Sequence, residues 1–198
     1  MTGLVRPAVT LVVGFTLLTG VALPLAVTGI AGAVMPGNAG GGIVRQGNRV
    51  VGAANLGQAF ASDRYFRGRP SATSEPDPDD EGRTRDRPYN GAASAASQLG
   101  PTSATLLANV RERVGEARNV PADAATASGS GLDPHVSPGN ARRQVGRVAA
   151  ARNLPRDRVA ALVEPLVEGR EFGLLGEPRV NVLRLNLALD NLALDGLR

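Results

Sequence analysis

A long uncharged and almost wholly apolar stretch near the N-terminus constrains this chain more than any other feature. No charged residue occurs between Arg6 and Arg45, and residues 8–30 read AVTLVVGFTLLTGVALPLAVTGI. As a helix this stretch would be about 34 Å long, enough to cross a bilayer core of ~30 Å. Pro24 interrupts it, which a membrane helix can tolerate. The sequence therefore predicts a transmembrane helix over residues 8–30.

The same stretch could instead be a cleaved signal peptide, with Arg6 before it and Ala31-Gly32-Ala33 as the cleavage site. A signal peptide has an apolar region of only ~7–15 residues, so we favour an uncleaved anchor. The positive charge of Arg6 favours a cytoplasmic position for residues 1–7 and an extracytoplasmic position for the chain after the helix. We expect a single-pass protein of the cell (inner) membrane.

Missing residue types exclude several classes of chemistry. All 22 basic residues are arginine, and cysteine is absent. Without lysine the chain can form neither a Walker A phosphate loop nor a Schiff base. Without cysteine it has no thiol nucleophile, disulfide or thiolate metal site. The net charge is only +4 and aromatic residues are 3% of the chain, so we expect no nucleic-acid partner.

Beyond the anchor, the chain predicts a glycine-rich linker over residues 31–42 and an extracytoplasmic domain over 43–198. Apolar pairs on either side of Gly47-Asn48 predict a small hairpin. Residues 75–88, EPDPDDEGRTRDRP, are broken by proline, with acids first and arginines after. We interpret them as a solvated, flexible insertion, and we predict no metal site.

Periodic apolar residues predict three helices, and the apolar pattern of the last segment fits both a strand and a helix. Ser137-Pro138 has the composition of an N-cap followed by a first helical residue. Near the end, a strand from Val180 and a helix from Leu185 are both compatible with the pattern. The order of elements predicts a mixed α/β (α+β) domain. The predicted helices are Ser103–Ala117, Pro138–Asn153 and Arg156–Val167.

The loop TASGSGLDPHVSP, residues 126–138, contains the only histidine of the chain. Ser130, Asp133 and His135 lie within six residues of one another, whereas the members of a working triad come from separate segments. The chain also has no G-x-S-x-G elbow between a strand and a helix. We therefore predict a structural loop that caps the next helix, and no catalytic residue. A membrane-anchored hydrolase that uses His135 is the alternative.

Blocks of sequence along nearly the whole chain resemble the KdpC family, the C subunit of Kdp-type potassium-transporting ATPases. They occur in the family's order and spacing, after the single anchor. The insertion at 75–88 and the sequence SAASQL at 94–99, where the family has SGGSNL, depart from its pattern. The blocks are VVGAANLGQAF, YFRGRPSATS, YNGAASAASQLGPTS, TASGSGLDPHVSP, QVGRVAAARNLP and GEPRVNVLRLNLALD.

This resemblance implies a non-catalytic accessory subunit of a high-affinity, ATP-driven potassium importer. Its implied partners are a channel-like potassium-binding A subunit and a P-type ATPase B subunit, with the lipid bilayer around the anchor. The subunit would stabilise assembly or act as a catalytic chaperone that raises the ATP affinity of the B subunit. A binding module unrelated to transport is the other alternative.

No tightly bound cofactor is implied, but ATP would be shared with the ATPase subunit. The family implicates a glutamine that matches Gln144 in nucleotide contact, which conflicts with the predicted topology, because Gln144 would lie outside the cytoplasm. Fixed turn geometry beside polar and aromatic groups marks two segments as partner contacts. The partner-contact candidates are Tyr65, Phe66, Arg69, Pro70, Ser128, Ser130, Asp133 and His135.

Overall fold

The computed structural model describes residues 2–195, and its internal contacts divide the chain into two units. The first unit ends at Val51 and the second begins at Gly52. The first contains the long apolar helix, and the second contains a mixed arrangement of helices and short strands. The prediction of a mixed helix-and-sheet chain with one long apolar N-terminal helix is confirmed.

Three consecutive helical segments form the long helix: α1 (Thr2–Leu17), a π-helical segment (Leu18–Ala22) and α2 (Leu23–Val34). Residues 3–34 are long and apolar enough to cross a membrane. The π-helical turn comes directly before Pro24 and is closed by the Leu23 N–H, which donates to the Leu18 carbonyl. Because proline lacks an N–H, a widened turn beside it is an ordinary way to adjust the backbone hydrogen bonds.

The helix extends beyond the predicted 8–30 at both ends, and it takes in part of the predicted linker. After α2 comes one helical turn, α3 (Pro36–Ala39), so residues 31–39 are largely helical and not an irregular glycine-rich exit. The predicted hairpin is confirmed as β1 (Ile43–Gln46) paired with β2 (Arg49–Ala53). Gly47 lies in its turn with φ of 59°, a conformation that glycine adopts without strain.

A three-stranded antiparallel sheet with the order β5-β7-β6 lies at the centre of the second unit. Its strands are β5 (His135–Val136), β6 (Val167–Glu168) and β7 (Arg179–Asn181). The hydrophobic core includes apolar residues of α6 (Pro138–Arg152), α7 (Arg156–Ala160) and α8 (Val182–Asp195). Its fully buried members include Phe66, Ala141, Val148, Val159, Val163, Val180, Leu185 and Leu189.

Two predicted helices begin where their caps indicate. Ser137 caps α6 by accepting a hydrogen bond from the Asn140 N–H, and Asn153 ends it in the left-handed conformation. Ser103 likewise caps α4 (Ala104–Val114). α6 buries its predicted apolar face, but α4 buries no residue fully. A single turn, α5 (Ala122–Ala125), lies between these two helices.

Other elements differ from the prediction. The helix predicted over 156–167 ends at Ala160, and a 3₁₀ turn (Glu164–Leu166) containing Pro165 leads into β6. Proline cannot donate the backbone hydrogen bond that an α-helix would need there. The ambiguous C-terminal segment contains both alternatives in succession, strand β7 and then helix α8.

The insertion at 75–88 is a correction to the sequence analysis, because the structure contains an antiparallel hairpin there. β3 (Ser74–Pro76) pairs with β4 (Thr84–Asp86), with Glu75 opposite Arg85. The Glu75 carboxylate also contacts Arg87. The segregation of acids and arginines, which we interpreted as a solvated loop, places opposite charges across the two strands.

Candidate functional site

Two side-chain amides hold consecutive residues of the YFRGRP segment at the centre of the second unit. Asn186 of α8 accepts a hydrogen bond from the Phe66 N–H at 2.8 Å and donates to the Phe66 carbonyl at 2.9 Å. Gln144 of α6 does the same for Arg67, at 2.8 and 3.0 Å. Each amide thus replaces a strand partner for one residue. Together they fix the backbone at residues 66–67 between the two helices.

The hydrogen-bonding capacity of the Gln144 side chain is fully used within the protein. Its Oε1 also accepts from an Arg147 Nη2 at 2.8 Å, and its Nε2 also donates to Asn140 Oδ1 at 3.2 Å. A glutamine amide can accept two hydrogen bonds and donate two. All four are made, and the residue is buried.

Two arginines of α6 bind the backbone just before these clamps. Arg147 donates to the carbonyls of residues 63 and 65, and Arg152 donates to the carbonyl of residue 64. The Arg152 guanidinium also lies 4.7 Å from the centre of the Tyr65 ring and pairs with Asp190 at 2.7 Å. The segment is therefore rigid in its backbone from residue 63 to residue 67.

A cleft of about 430 Å³ lies beside this segment. Four arginines line it, Arg67 and Arg69 from the segment and Arg143 and Arg147 from α6, together with apolar atoms such as those of Phe60. No acidic residue is among its lining residues in the described part of the chain. The cleft has the charge and shape to accept an anionic group.

Positive charge is in excess at the cleft. Asp63 pairs with both Arg67 and Arg147, and Asp133 pairs with Arg69. Within residues 2–195 the Arg143 side chain makes no hydrogen bond or ion pair, although it lines the cleft. Burial lowers the pKa of Arg147, the Arg67 and Arg143 guanidinium groups lower it further, and Asp63 opposes them. The mutual repulsion of these cations would be relieved by a bound anion.

Two glycines let the Tyr89 ring close one side of the cleft. The Tyr89 hydroxyl donates to the Arg69 carbonyl at 2.6 Å. A Cβ atom at Gly57 or Gly68 would collide with the Tyr89 side chain. Burial raises the pKa of Tyr89 to about 12, with a contribution from the Asp133 charge, so the hydroxyl stays protonated as a donor.

The loop at 126–138 supports the same segment. The Ser71 hydroxyl donates to the Gly131 carbonyl at 2.7 Å, and the Ser128 N–H donates to the Pro70 carbonyl at 3.1 Å. The Asp133 carboxylate accepts hydrogen bonds from the His135 N–H and from Arg69. Gly131 adopts a φ of 69°. The loop therefore caps α6, as predicted, and it also supports RPSAT, which was not predicted.

His135 faces carboxylates. Its Nδ1 lies 3.6 Å from Asp133 and its Nε2 lies 3.8 Å from Glu168. Within residues 2–195 no serine hydroxyl hydrogen-bonds to this ring, and Ser130 Oγ accepts from the Leu132 N–H instead. The arrangement therefore has no geometry for activating a serine nucleophile. Among the described residues there is also no cluster of three metal-ligating side chains.

The structure separates the predicted partner contacts into exposed and internal residues. Phe66 is fully buried in the core and Ser128 is buried, so neither side chain is accessible to a partner in this fold. Ser130 is exposed, and Tyr65, Arg69, Pro70, Asp133 and His135 are half-buried. Whether the accessible residues touch a partner stays a prediction.

Neither Asn186, which clamps Phe66, nor the role of Arg147 was predicted from the sequence. A signal for Asn186 exists, because an asparagine interrupts the leucines of LRLNLALD on what becomes the buried face of α8. A polar residue among core positions indicates a buried hydrogen-bonding partner.

Comparison with known proteins gives one consistent family. Residues 5–191 match the family described as KdpC: K+-transporting ATPase, c chain. Proteins named potassium-transporting ATPase KdpC subunit are similar over nearly their full length. Examples are those of Methylobacterium nodulans (53% identical, 95% of this chain and 96% of the relative) and Bradyrhizobium diazoefficiens (52%, 96% and 97%). That of Allorhizobium ampelinum is 53% identical over 93% of this chain and 94% of the relative.

Proposed function

The chain belongs to the KdpC family of K+-transporting ATPase subunits, and from this premise we propose how its parts serve the complex. It is a non-catalytic accessory subunit of the potassium-import ATPase. The proposal is that residues 3–34 anchor it in the cell membrane and that the second unit acts outside the cytoplasm. The alternative of an anchored hydrolase is not supported.

The orientation is supported by the distribution of charge around the long helix. Arg6 lies in its first turns, and no further charge occurs until Arg45. Positive residues favour the cytoplasmic side of a membrane helix. No residue of α2 is buried within the protein, which suits contact with lipid or with other membrane helices.

The arginine-lined cleft is the surface that we assign to a partner subunit. The partners are the channel-like A subunit and the P-type ATPase B subunit that the family resemblance implies. One observation carries this assignment. Arg143 of α6 has no partner within residues 2–195, and it shares the cleft with the guanidinium groups of Arg147 and Arg67. A carboxylate of a partner would accept charge-assisted hydrogen bonds there without moving the backbone. Contact of this kind would stabilise the assembly.

Co-purification tests this assignment. We would co-express the chain, carrying a tag, with the A and B subunits and measure both recovery of the partners and potassium-stimulated ATP hydrolysis. Arg143→Glu is expected to lower recovery and activity together, because it replaces one of the four cleft cations with an anion. Arg156→Glu, an equal charge change on the exposed start of α7, is the matched control. Equal recovery for both variants would contradict docking through the cleft.

Nucleotide contact through Gln144 is a competing proposal, because it requires the second unit to face the cytoplasm, where ATP is. A direct contact with ATP shared with the ATPase subunit would require the Gln144 amide to exchange one of its four internal hydrogen bonds. The Asn186→Ala variant removes the equivalent clamp one residue earlier and serves as the control for Gln144→Ala.

The two variants distinguish direct contact from an effect through the segment. If Gln144→Ala alone raises the ATP concentration needed for half-maximal ATPase activity, nucleotide contact is supported. If both variants raise this ATP concentration in proportion to their loss of thermal stability, Gln144 acts by holding residues 65–67 in place.

A further inference from the structure

The connection between β6 and β7 exposes three large apolar side chains at its tip. Phe172 is 96% exposed, Leu174 is 75% exposed and Leu175 is 58% exposed. These three residues, here called the apolar tip, lie in the sequence REFGLLGE and belong to neither the core nor the arginine-lined cleft. Three large apolar groups together on an exposed turn are a typical feature of a contact surface.

The backbone of the apolar tip is closed and strained. The Leu174 and Leu175 N–H groups donate to the Glu171 carbonyl, and the Glu171 N–H donates to the Leu175 carbonyl. Phe172 and Gly173 have φ of 54° and 73°, which are the signs of a type I′ turn. Asn, Asp or Gly suits the first of these positions, and phenylalanine there costs conformational energy. Neither core packing nor turn preference therefore explains Phe172.

Paired charges fix the base of the apolar tip. Arg170 pairs with Glu177 at 2.8 Å, and Arg179 pairs with Glu171 at 2.6 Å. Arg179 belongs to β7, the central strand of the sheet. The tip is therefore held by the sheet with its apolar groups outward, beside two ion pairs that together carry no net charge.

We propose that the apolar tip inserts into the boundary between headgroups and acyl chains of the lipid bilayer. This inference rests on the proposed membrane anchoring of the same chain. An anchored chain holds the tip near a bilayer at high local concentration, so a small apolar contact suffices for binding. Transfer of Phe and Leu side chains from water into that boundary is favourable, while the paired charges at the base of the tip stay among the headgroups.

Lipid suits the tip better than a pocket on a partner subunit for two reasons on this chain. The tip is convex and stands at the end of a closed turn, so a fluid medium can cover it from all sides. The chain also supplies its own access to that medium through the helix of residues 3–34. An apolar pocket on a partner is the competing outcome of the test below.

The absence of cysteine makes the test direct. Full-length single-cysteine variants, labelled with the environment-sensitive fluorophore NBD, are reconstituted into phosphatidylcholine vesicles with or without brominated acyl chains. Leu174→Cys reports on the tip, Val12→Cys reports on the long helix, and Ser97→Cys is the control on an exposed polar segment. The expected result is loss of fluorescence in brominated lipid at positions 174 and 12 and none at 97.

Phe172→Asn provides the second measurement, because asparagine suits the turn but has no affinity for the bilayer. We expect this variant to keep or raise the thermal unfolding temperature, and to reduce quenching at position 174. Unchanged quenching in Phe172→Asn would overturn the proposal.

The helix probe separates the failure of this proposal from the failure of membrane anchoring. Quenching at 12 without quenching at 174 overturns the tip proposal alone. Quenching at neither position overturns the anchoring and the tip proposal with it. Protection of position 174 from an aqueous quencher only after the A and B subunits are added would assign the tip to a protein pocket and would also overturn insertion into lipid.

Discussion

Asn186 and Gln144 act at the scale of single residues by pairing with a backbone that has no strand beside it. Phe66 is fully buried, so its N–H and carbonyl need partners inside the protein. An intramolecular hydrogen bond contributes about 1 kcal/mol net, whereas a buried group left unpaired costs about 1–3 kcal/mol. The amides therefore matter mainly because their loss would leave unpaired backbone groups behind.

Replacing Asn186 with leucine should destabilise the second unit strongly. Leucine can fill the space but leaves the Phe66 N–H and carbonyl without their partner. We therefore expect the free energy of unfolding to fall by about 2–5 kcal/mol. Urea unfolding monitored by circular dichroism measures it. Asn191→Leu, at an exposed position of the same helix, is the control and should change little. Similar losses in the two variants would refute the clamp.

We predict that the Asp133 carboxyl makes the stability of the second unit depend on pH. Burial would raise its pKa, but hydrogen bonds from the His135 side chain and backbone and from Arg69 outweigh burial and leave the pKa below its ordinary value. A carboxyl with a lowered folded pKa stabilises the fold above its unfolded pKa of ~3.9, and loses that contribution as the pH falls through the folded value.

The corresponding measurement compares wild type with Asp133→Asn between pH 7 and pH 3. The wild type should be more stable at neutral pH, and the difference should shrink below about pH 4. Asp79→Asn, in the exposed turn between β3 and β4, is the control for the removal of one surface carboxylate. A constant difference across the range would mean that Asp133 does not act through its charge.

Helix α6 connects the core to the cleft at the scale of elements. One face buries Ala141, Val145, Val148 and Ala149, and the neighbouring edge presents Gln144, Arg143 and Arg147 to the YFRGRP segment. Its first turn is held by Ser137 and by Asp123, which accepts hydrogen bonds from Ser137 and Asn140. The same helix therefore packs the hydrophobic core and positions the cations.

The β3–β4 hairpin is an element that the rest of the fold should not require. Glu75 lies opposite Arg85, so residues 76–84 can be replaced by Asn-Gly, the preferred two-residue turn. The contacts of Thr73 and Asn90 with the chain around the hairpin are kept. We expect unchanged or slightly higher stability, because a shorter loop costs less entropy to close. A large fall in the thermal unfolding temperature would show that the hairpin supports the core.

At the scale of the whole molecule, the hydrophobic core lies within the second unit alone. Every residue of the hydrophobic core lies beyond Gly52, and the helix of residues 3–34 contributes none. We therefore expect a fragment of residues 43–198 to unfold cooperatively, at a temperature close to that of the full chain, and to stay in solution. Differential scanning calorimetry and vesicle flotation measure these properties. A fragment without a cooperative transition would contradict a self-sufficient core.

The elements that were predicted correctly are those whose signal is local. The hairpin around Gly47 and the Ser137 cap of α6 depend on neighbouring residues, so short patterns predict them. The predicted continuation of the helix beyond Ala160 was wrong because Pro165 favours a tight turn and the chain then joins the sheet. The prediction of an irregular loop at 75–88 was wrong because pairing of Glu75 with Arg85 and Arg87 stabilises two strands of low apolar content.

The sequence by itself determined the family, the long apolar helix, the mixed fold class and the absence of lysine and cysteine chemistry. Only the tertiary structure decided that Gln144 and Asn186 clamp residues 77 and 120 positions away, and that four arginines share one cleft. Apolar length, caps and turn residues act within a few positions of the chain. Hydrogen bonds and charge excess at a cleft depend instead on which distant segments the core brings together.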